Sequence, residues 1–330
     1  MRILITGITG FVGSHLAEYI IQLDEKHDVY GLCRWRSSRE NLANIYKKIM
    51  LFNADICDLG SLIHELKTIK PDIIFHLAAQ SYVVASFNVP FQTLWTNVIG
   101  TANLLEALRI LKLNPRIHIC SSSEVYGQVR EEDVPIKEDC PLRPASPYGV
   151  SKVGEDMVAL QYWLSYRMKT IRTRMFTHTG PRRGDVFALS YFANQIAAAE
   201  LGLKEPCISV GNLKSVRTIC DVRDAVKAYW LLIQHGVPGE CYNIGGSHTM
   251  TIQKALDILL SFARVKCNVV VDEKLLRPSD VTLQIPCIEK FKEITGWEPE
   301  ILPQQTLEDL LNYWREQLKL FPWKAAVVVR

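Results

Sequence analysis

Hydrophobic and polar positions alternate between two periods along the first half of the chain. Short, largely apolar runs recur at 3–5, 28–33, 50–54, 72–76, 116–120 and 170–175. Between them, apolar residues return at helical spacing: Leu16, Ala17 and Ile20 after the first run, then 59–69 and 93–111. Runs this short and this apolar read as strands buried on both faces, and their alternation with helices predicts an α/β fold with a doubly wound parallel sheet and right-handed crossovers. After residue 176 the pattern breaks into short mixed pieces. A helix at 221–234 and a strand at 240–244 then return to the main sheet. The chain therefore divides, as an expectation, into a main domain of 1–176 plus about 219–245 and a smaller discontinuous lobe of 177–218 plus 246–330 that covers the sheet's carboxyl edge. The apolar tail at 323–330 reads as an oligomer contact or as unrelated to the fold.

Composition narrows the class. Of 330 residues, 48% are hydrophobic and 22% charged, the balance of a globular chain, and the net charge of +3 argues against nucleic acid or a membrane surface as partner. No apolar run approaches the roughly 20 residues that span a bilayer, and no leader precedes the first strand, so a cytoplasmic location is expected. The nine cysteines are dispersed with no C-x-x-C pair, which predicts reduced thiols rather than disulfides or zinc; no metal site is expected.

The candidate chemistry gathers at the strand ends. Gly7, Gly10 and Gly13 follow the first strand at spacing G-x-x-G-x-x-G and open a helix, so that backbone amides and a helix N-terminus can meet a pyrophosphate. The fold is then of the Rossmann type. After the second strand comes Arg34-Trp35-Arg36-Ser37-Ser38-Arg39, where an NAD-binding chain usually carries an acidic residue; guanidinium and hydroxyl groups suit a 2′-phosphate, and NADP is the expected cofactor. Asp55 and Ile56 end the third strand, where Asp55 reads equally as an adenine contact or a turn aspartate. Leu77, Ala78, Ala79, Gln80 and Ser81 leave the fourth strand as small residues against which a ligand can lie. Asn97, inside the 93–111 helix, reads as a packed polar residue that must find hydrogen bonds.

Tyr148 and Lys152, four apart, share a helix face. An ammonium beside a phenol favours the phenolate, so the pair predicts a tyrosine of lowered pKa acting as base on a hydroxyl. Ser121, Ser122 and Ser123, delivered by the fifth strand, can bond the same hydroxyl. Glu124 is the extra group. Alcohol oxidation does not need it, whereas removal of a proton beside a carbonyl does. Its structural alternative is a carboxylate tied to loop amides.

The glycine spacing resembles the extended short-chain dehydrogenase/reductases, and the motifs together resemble the GDP-mannose 4,6-dehydratase family. Ser121-Ser122-Ser123-Glu124-Val125-Tyr126-Gly127 is similar to its S-T-S-E-L-Y-G. Leu77-Ala78-Ala79-Gln80-Ser81 matches its L-A-A-Q-S, and Arg36-Ser37-Ser38 resembles part of its R-R-S-S loop. Ser146-Pro147-Tyr148, the stretch from Phe176 to Gly184, Gly211-Asn212-Leu213 through Arg217, Arg277-Pro278-Ser279-Asp280 and Gly296-Trp297-Glu298-Pro299 resemble further family segments, so the likeness covers nearly the whole chain. The resemblance implies a GDP-sugar 4,6-dehydratase, dimeric or tetrameric, that recycles NADP. It implies that Gly7, Thr9, Gly10, Phe11, Val12, Gly13, Arg34, Arg36, Ser37, Asp55, Ile56, Leu77, Ala78, Ala79, Ser81, His178 and Arg183, with Tyr148 and Lys152, contact the cofactor. Ser122, in the place of the family's threonine, and Glu124, Tyr148 and Lys152 would be catalytic. Ser81, Ser122, Ser123, Thr177, Asn212, Arg217, Arg277 and Asp280 would hold the nucleotide sugar.

Some positions depart from the family. Thr177 stands for an Asn, Thr179 for a Glu, and Phe11-Val12 for a Gln-Asp. The last, with Tyr242-Asn243-Ile244, also resembles the sister reductases that convert GDP-4-keto-6-deoxymannose to GDP-rhamnose. The alternatives are therefore that reductase, a GDP-manno-heptose dehydratase, and a non-catalytic nucleotide sensor on the same fold.

Overall fold

In the computed structural model, residues 1–23 and 26–326 are described. The strands are β1 (Arg2–Thr6), β2 (Asp28–Cys33), β3 (Met50–Asn53), β4 (Ile73–His76), β5 (Arg116–Ser122), β6 (Thr170–Met175), β7 (His178–Thr179), β8 (Cys207–Val210), β9 (Val216–Thr218), β10 (Cys220–Asp221), β11 (Cys241–Ile244), β12 (Thr249–Thr251), β13 (Asn268–Val271) and β14 (Leu283–Gln284). The α-helices are α1 (Phe11–Gln22), α2 (Leu59–Ile69), α3 (Val83–Asn88), α4 (Pro90–Leu94), α5 (Gly100–Ile110), α6 (Pro147–Tyr166), α7 (Ala188–Glu200), α8 (Val222–His235), α9 (Ile252–Ser261), α10 (Glu289–Thr295) and α11 (Pro303–Leu320).

Seven parallel strands form the main sheet in the order β11-β6-β5-β4-β1-β2-β3. β1 is the pivot: Ile5 lies opposite Gly31 of β2 on one side and Phe75 of β4 on the other. Its residues divide between two layers with a period of two. Ile3 and Ile5 join a core with Leu16 and Ile20 of α1 and Val226 and Tyr229 of α8. Leu4 points the other way, into a core with Leu62 and Leu66 of α2 and Leu104 and Leu108 of α5. Each such side chain stabilises the fold by about 1.5–3 kcal/mol relative to exposure, so both layers are needed to hold the strand. The order reverses beside β1, and a crevice opens there at the strands' carboxyl ends.

The chain beyond β6 builds the expected smaller pieces. α7, α9 and α11 pack around β8 in a core of their own that includes Phe192, Ile196, Ile208, Leu256, Leu310 and Trp314. The short strands pair as β12-β9-β14, β13-β8 and β10-β7.

Two expectations are refined. The helix at 93–111 is α4, a π-helical turn at Trp95–Ile99 and α5, and the turn carries Asn97. Of the tail, Pro322–Ala326 forms a short helical turn. There Lys324 Nζ reaches Glu40 Oε1 at 2.7 Å, while residues 327–330 lie outside the described residues. All nine cysteines are free.

Candidate active site

A cleft of about 840 Å³ runs along the carboxyl ends of β1, β4, β5 and β6, roofed by residues from 176–217 and 274–284. At one end lies the glycine turn. Gly7 has φ +70°, and a Cβ on it would sit 2.9 Å from the backbone of Ala78; a Cβ on Gly13 would sit 2.4 Å from the Gly7 carbonyl. Side chains are excluded so that α1 and the β4 exit can meet. Gly10 caps α1 without any side-chain bond, so the first amides of the helix face a pyrophosphate-sized space. Thr6 Oγ1 accepts the amides of Leu77 and Ala78, both at 3.1 Å. With its acceptor side so used, its proton goes to His76 Nδ1 at 2.9 Å. His76 Nε2 in turn donates to Thr101 Oγ1 at 3.0 Å, because the Thr101 hydroxyl donates to the Asn97 carbonyl. Burial brings His76 down to about 3, so this link is neutral. These features, a cradle closed to any Cβ and a helix end without a cap, fit a dinucleotide.

Thr9, Phe11, Val12, Arg34, Ser37, Asp55, Ile56, Ala79 and Ser81 all line the cleft. Arg36 does not. It lines an adjoining hollow of about 300 Å³ together with Arg34, Asp55 and Ser61, so Arg34 is the basic residue common to both spaces. Asp55 Oδ1 accepts the Cys57 amide at 2.9 Å, making it a turn aspartate that also faces the cleft. Asn97 accepts the Gln80 amide at 2.8 Å and donates to the Gln80 carbonyl at 3.0 Å and to Ser151 Oγ at 2.8 Å. Ser151 is bonded to the Tyr148 carbonyl at 2.7 Å. Asn97 thus clamps the 77–81 loop to α6.

α6 starts cleanly because Ser146 caps it, accepting the Gly149 amide at 3.0 Å, and Pro147 occupies its first turn. This start places Tyr148 and Lys152 in the cleft beside Ser122, Ser123 and Glu124. Ser122 Oγ accepts the Glu124 amide at 3.2 Å. The expected lowering of Tyr148 is not found. Burial raises its phenol, and Lys152 and Ser122 only oppose that rise. Lys152 is already paired: its Nζ lies 2.6 Å from Glu155 Oε2.

Glu124 is largely enclosed, and burial holds its carboxyl above the usual range against the pull of Arg277 and Arg217. Among the described residues no backbone amide donates to that carboxylate, so it is not tied up by its own loop. Across the cleft, Arg217 is anchored to the carbonyls of Val216 at 2.9 Å and of Val281. Asn212 donates to Asp280 Oδ2 at 2.7 Å, and Arg277 lies 3.8 Å from Asp280. Thr177 also faces the cleft. Phe11 stacks on His178 with ring centroids 5.8 Å apart, and the Arg183 guanidinium sits over Phe11 at 5.1 Å and Phe187 at 3.5 Å. His178 Nδ1 bonds the Phe176 carbonyl at 3.1 Å, and burial keeps its ring neutral, down to about 3.

Several cleft residues have no counterpart in the sequence reading: Tyr82, Phe187, Tyr191, Lys274 and Gln284. Tyr191 lies on α7 and Gln284 on the two-residue β14, while Tyr82, Phe187 and Lys274 come from segments without a regular period, and in neither case does the pattern separate a lining residue from a surface one. Tyr82 alone had a signal, being adjacent to the small-residue exit of β4.

The chain matches the family model for GDP-mannose 4,6 dehydratase over residues 4–310. It is 32% identical to GDP-6-deoxy-D-mannose reductase of Pseudomonas aeruginosa, over 96% of this chain and 98% of that protein. It is equally 32% identical to GDP-mannose 4,6-dehydratase of Yersinia enterocolitica, over 96% of this chain and 95% of that protein. The solved structure of RMD from Pseudomonas aeruginosa complexed with NADPH superposes with a TM-score of 0.84 at 30% identity, covering 96% of this chain and all of that one. With the parallel sheet, the glycine cradle and the Ser-Tyr-Lys group already in one cleft, these matches mean that the chain belongs to the GDP-mannose 4,6-dehydratase family.

Proposed function

We propose that the protein converts GDP-mannose to GDP-4-keto-6-deoxymannose with NADP as its resident cofactor. The observation that carries the reading is Glu124, a half-buried carboxylate free of loop amides in the same cleft as Tyr148. When bound, NADP supplies the acceptor for the hydride lost at C4 and the donor of the hydride regained at C6. Tyr148 takes the C4 hydroxyl proton, with the Ser122 hydroxyl holding the oxygen in place. Glu124 then removes the C5 proton, which the new C4 ketone makes acidic. Its raised carboxyl retains that proton and delivers it to the departing C6 hydroxyl, which leaves as water. Arg217 and Arg277 bond the diphosphate, whose oxygens suit planar guanidinium forks. His178 and Arg183 would hold the cofactor from the roof, and Arg34, Arg36 and Ser37 of the basic loop would bind its 2′-phosphate.

The decisive experiment is incubation of the purified protein with GDP-mannose and product mass analysis. Loss of one water, with solvent hydrogen entering C5, is the expected result. A second reading has a specific support: the Pseudomonas aeruginosa reductase, matched over nearly its full length. Stoichiometric oxidation of NADPH by the 4-keto sugar, with GDP-mannose left intact, would establish it. A manno-heptose in place of mannose would appear in the same mass assay. The division into a cofactor domain of 1–176 plus about 219–245 and a nucleotide-sugar lobe of 177–218 plus 246–330 accords with the separate core around α7, α9 and α11. A homodimer or homotetramer is the proposed assembly, and the exposed apolar residues of α4 and α6 support it.

A further inference from the structure

Lys152 is held from two directions. Its Nζ donates to the Cys120 carbonyl at 2.8 Å and to Glu155 Oε2 at 2.6 Å. Both side chains of the ion pair are buried, at 5% and 1% exposure. An ammonium has three donors, so two are fixed and one is left for the cleft that Lys152 lines. Glu155 follows three residues later on α6 and so lies on the same side of the helix. It is not a lining residue of the cleft, and Lys152 is the only side chain that bonds its carboxylate among the described residues. The neighbouring acid, Asp156, is turned away, bonded to Arg172 at 2.5 Å and to Arg174 at 2.8 Å on β6. A carboxylate is rarely this buried without a task, because desolvation works against it.

The groups around the pair are mostly silent near neutral pH. His76 on β4 and His118 on β5 are each brought down to about 3 by burial. Burial raises the Cys120 thiol and the Tyr229 phenol of α8, so both stay protonated. Asp156 offsets one of the two charges of Arg172 and Arg174, and the positive charge left over does not change near neutral pH. Arg183, in the roof, keeps its charge. What remains to exchange charge is Tyr148, Lys152 and Glu155, and burial has pushed Glu155 up to about 7.

We propose that Glu155 is a positioning residue for the Tyr148–Lys152 pair: it pins the ammonium below the phenol, and its charge sets the pH at which the pair releases its first proton. This rests on the reading of Tyr148 as the base for the C4 hydroxyl. The sign follows from charge alone. Phenol plus ammonium carries one positive charge, and loss of a proton from either atom leaves none. An adjacent carboxylate favours the positive state and so raises that first pKa. Removing the carboxylate lowers it, whichever atom gives up the proton.

The test is the pH profile of kcat/KM with GDP-mannose, or with the 4-keto sugar and NADPH if the protein proves to be the reductase. Glu155→Gln keeps the volume and can still accept from Lys152. The limb that reports the pair should move to lower pH by about one unit, the scale at which coupled groups are distinguishable: the acid limb with GDP-mannose, where Tyr148 accepts a proton, or the alkaline limb with the 4-keto sugar and NADPH, where it donates one. Glu155→Asp retains the charge and should keep the wild-type limb while lowering the plateau. If Glu155→Gln melts below the assay temperature, the apolar Glu155→Leu takes its place with the same expected shift. A limb that stays put in both Gln and Leu variants, with only the plateau reduced, would make Glu155 merely structural and overturn the proposal. Tyr148→Phe separates the two levels. Its loss of C4 oxidation upholds the base assignment, whereas retained oxidation removes that assignment and the proposal with it.

Discussion

Glu124 decides between the two reactions that this cleft could perform. Oxidation at C4 uses Tyr148 and Ser122, and neither needs a second acid. Glu124→Gln preserves shape and hydrogen bonding but cannot take the C5 proton, and loss of a general base costs on the order of 10²–10⁴ in rate. The variant should still reduce bound cofactor on mixing with GDP-mannose, as read by nicotinamide absorbance. It should lose dehydrated product and solvent exchange at C5 to that extent. Near-normal dehydration would remove Glu124 from the mechanism. The basic loop gives a second prediction. Arg34 borders both the cleft and the adjoining hollow, while Arg36 borders only the hollow. Charge-assisted hydrogen bonds contribute about 1.5–3 kcal/mol, so Arg34→Glu should weaken NADP by at least roughly tenfold and NAD much less, with Arg36→Glu acting in the same direction. Titration of cofactor fluorescence measures both constants, and equal weakening of the two cofactors would count against the 2′-phosphate assignment. At this scale the placement of residues in the cleft was legible where a motif marks it, at the end of β5 for Ser122 and Glu124 and on one face of α6 for Tyr148 and Lys152. It was not legible for Tyr148's proton affinity. That depends on how deeply the phenol is buried, which outweighs the pull of Lys152, and spacing does not report burial.

The glycine turn shows how elements, rather than single contacts, shape the cradle. Gly13 lies in the first turn of α1, and a Cβ there would meet the Gly7 carbonyl at 2.4 Å. That neighbour is backbone and cannot step aside, so α1 must tilt away from β1. Gly13→Ala should therefore lose most cofactor affinity while the strands remain paired. The check is thermal unfolding with and without NADP. Saturating ligand at about 100 times its Kd stabilises the wild type by about 2.7 kcal/mol, and the variant should lose that increment. Strands and helices of the main sheet were readable because their apolar periods are unambiguous: the helix at 59–69 and the strand at 170–175 agree with α2 and β6. The π-turn at Trp95–Ile99 was not, since one inserted residue barely alters a 3.6-residue pattern. Yet that turn aims Asn97 between the 77–81 loop and α6. The small lobe was readable only as irregular chain, because its two- to four-residue strands are held by distant partners rather than by any local period.

At the scale of the whole molecule, one chain supplies the residues described as lining the cleft, and the faces of α4 and α6 turned away from it carry exposed apolar residues. Val150, Met157 and Leu164 recur every seven residues along α6, at 47%, 37% and 59% exposure. Phe91 at 86% and Trp95 at 53% lie four apart on the adjoining α4 and π-turn, which pack against α6. Neighbouring helices with aligned apolar stripes make a continuous surface, the kind that a second copy covers by presenting the same stripes in return. α6 carries Tyr148 and Lys152, so such a contact would brace the catalytic helix from behind without contributing a residue to the cleft. Two consequences can be separated. Trp95→Glu combined with Leu164→Glu puts charges into that surface and should yield monomers by light scattering at concentrations where the wild type is dimeric. Cofactor binding should persist in the monomer, because every lining residue is still present, while the melting temperature falls as the bracing of α6 is lost. A wild type that scatters as a monomer across the same concentrations would exclude assembly through this face. A charged variant that stays dimeric would place the interface elsewhere on the molecule.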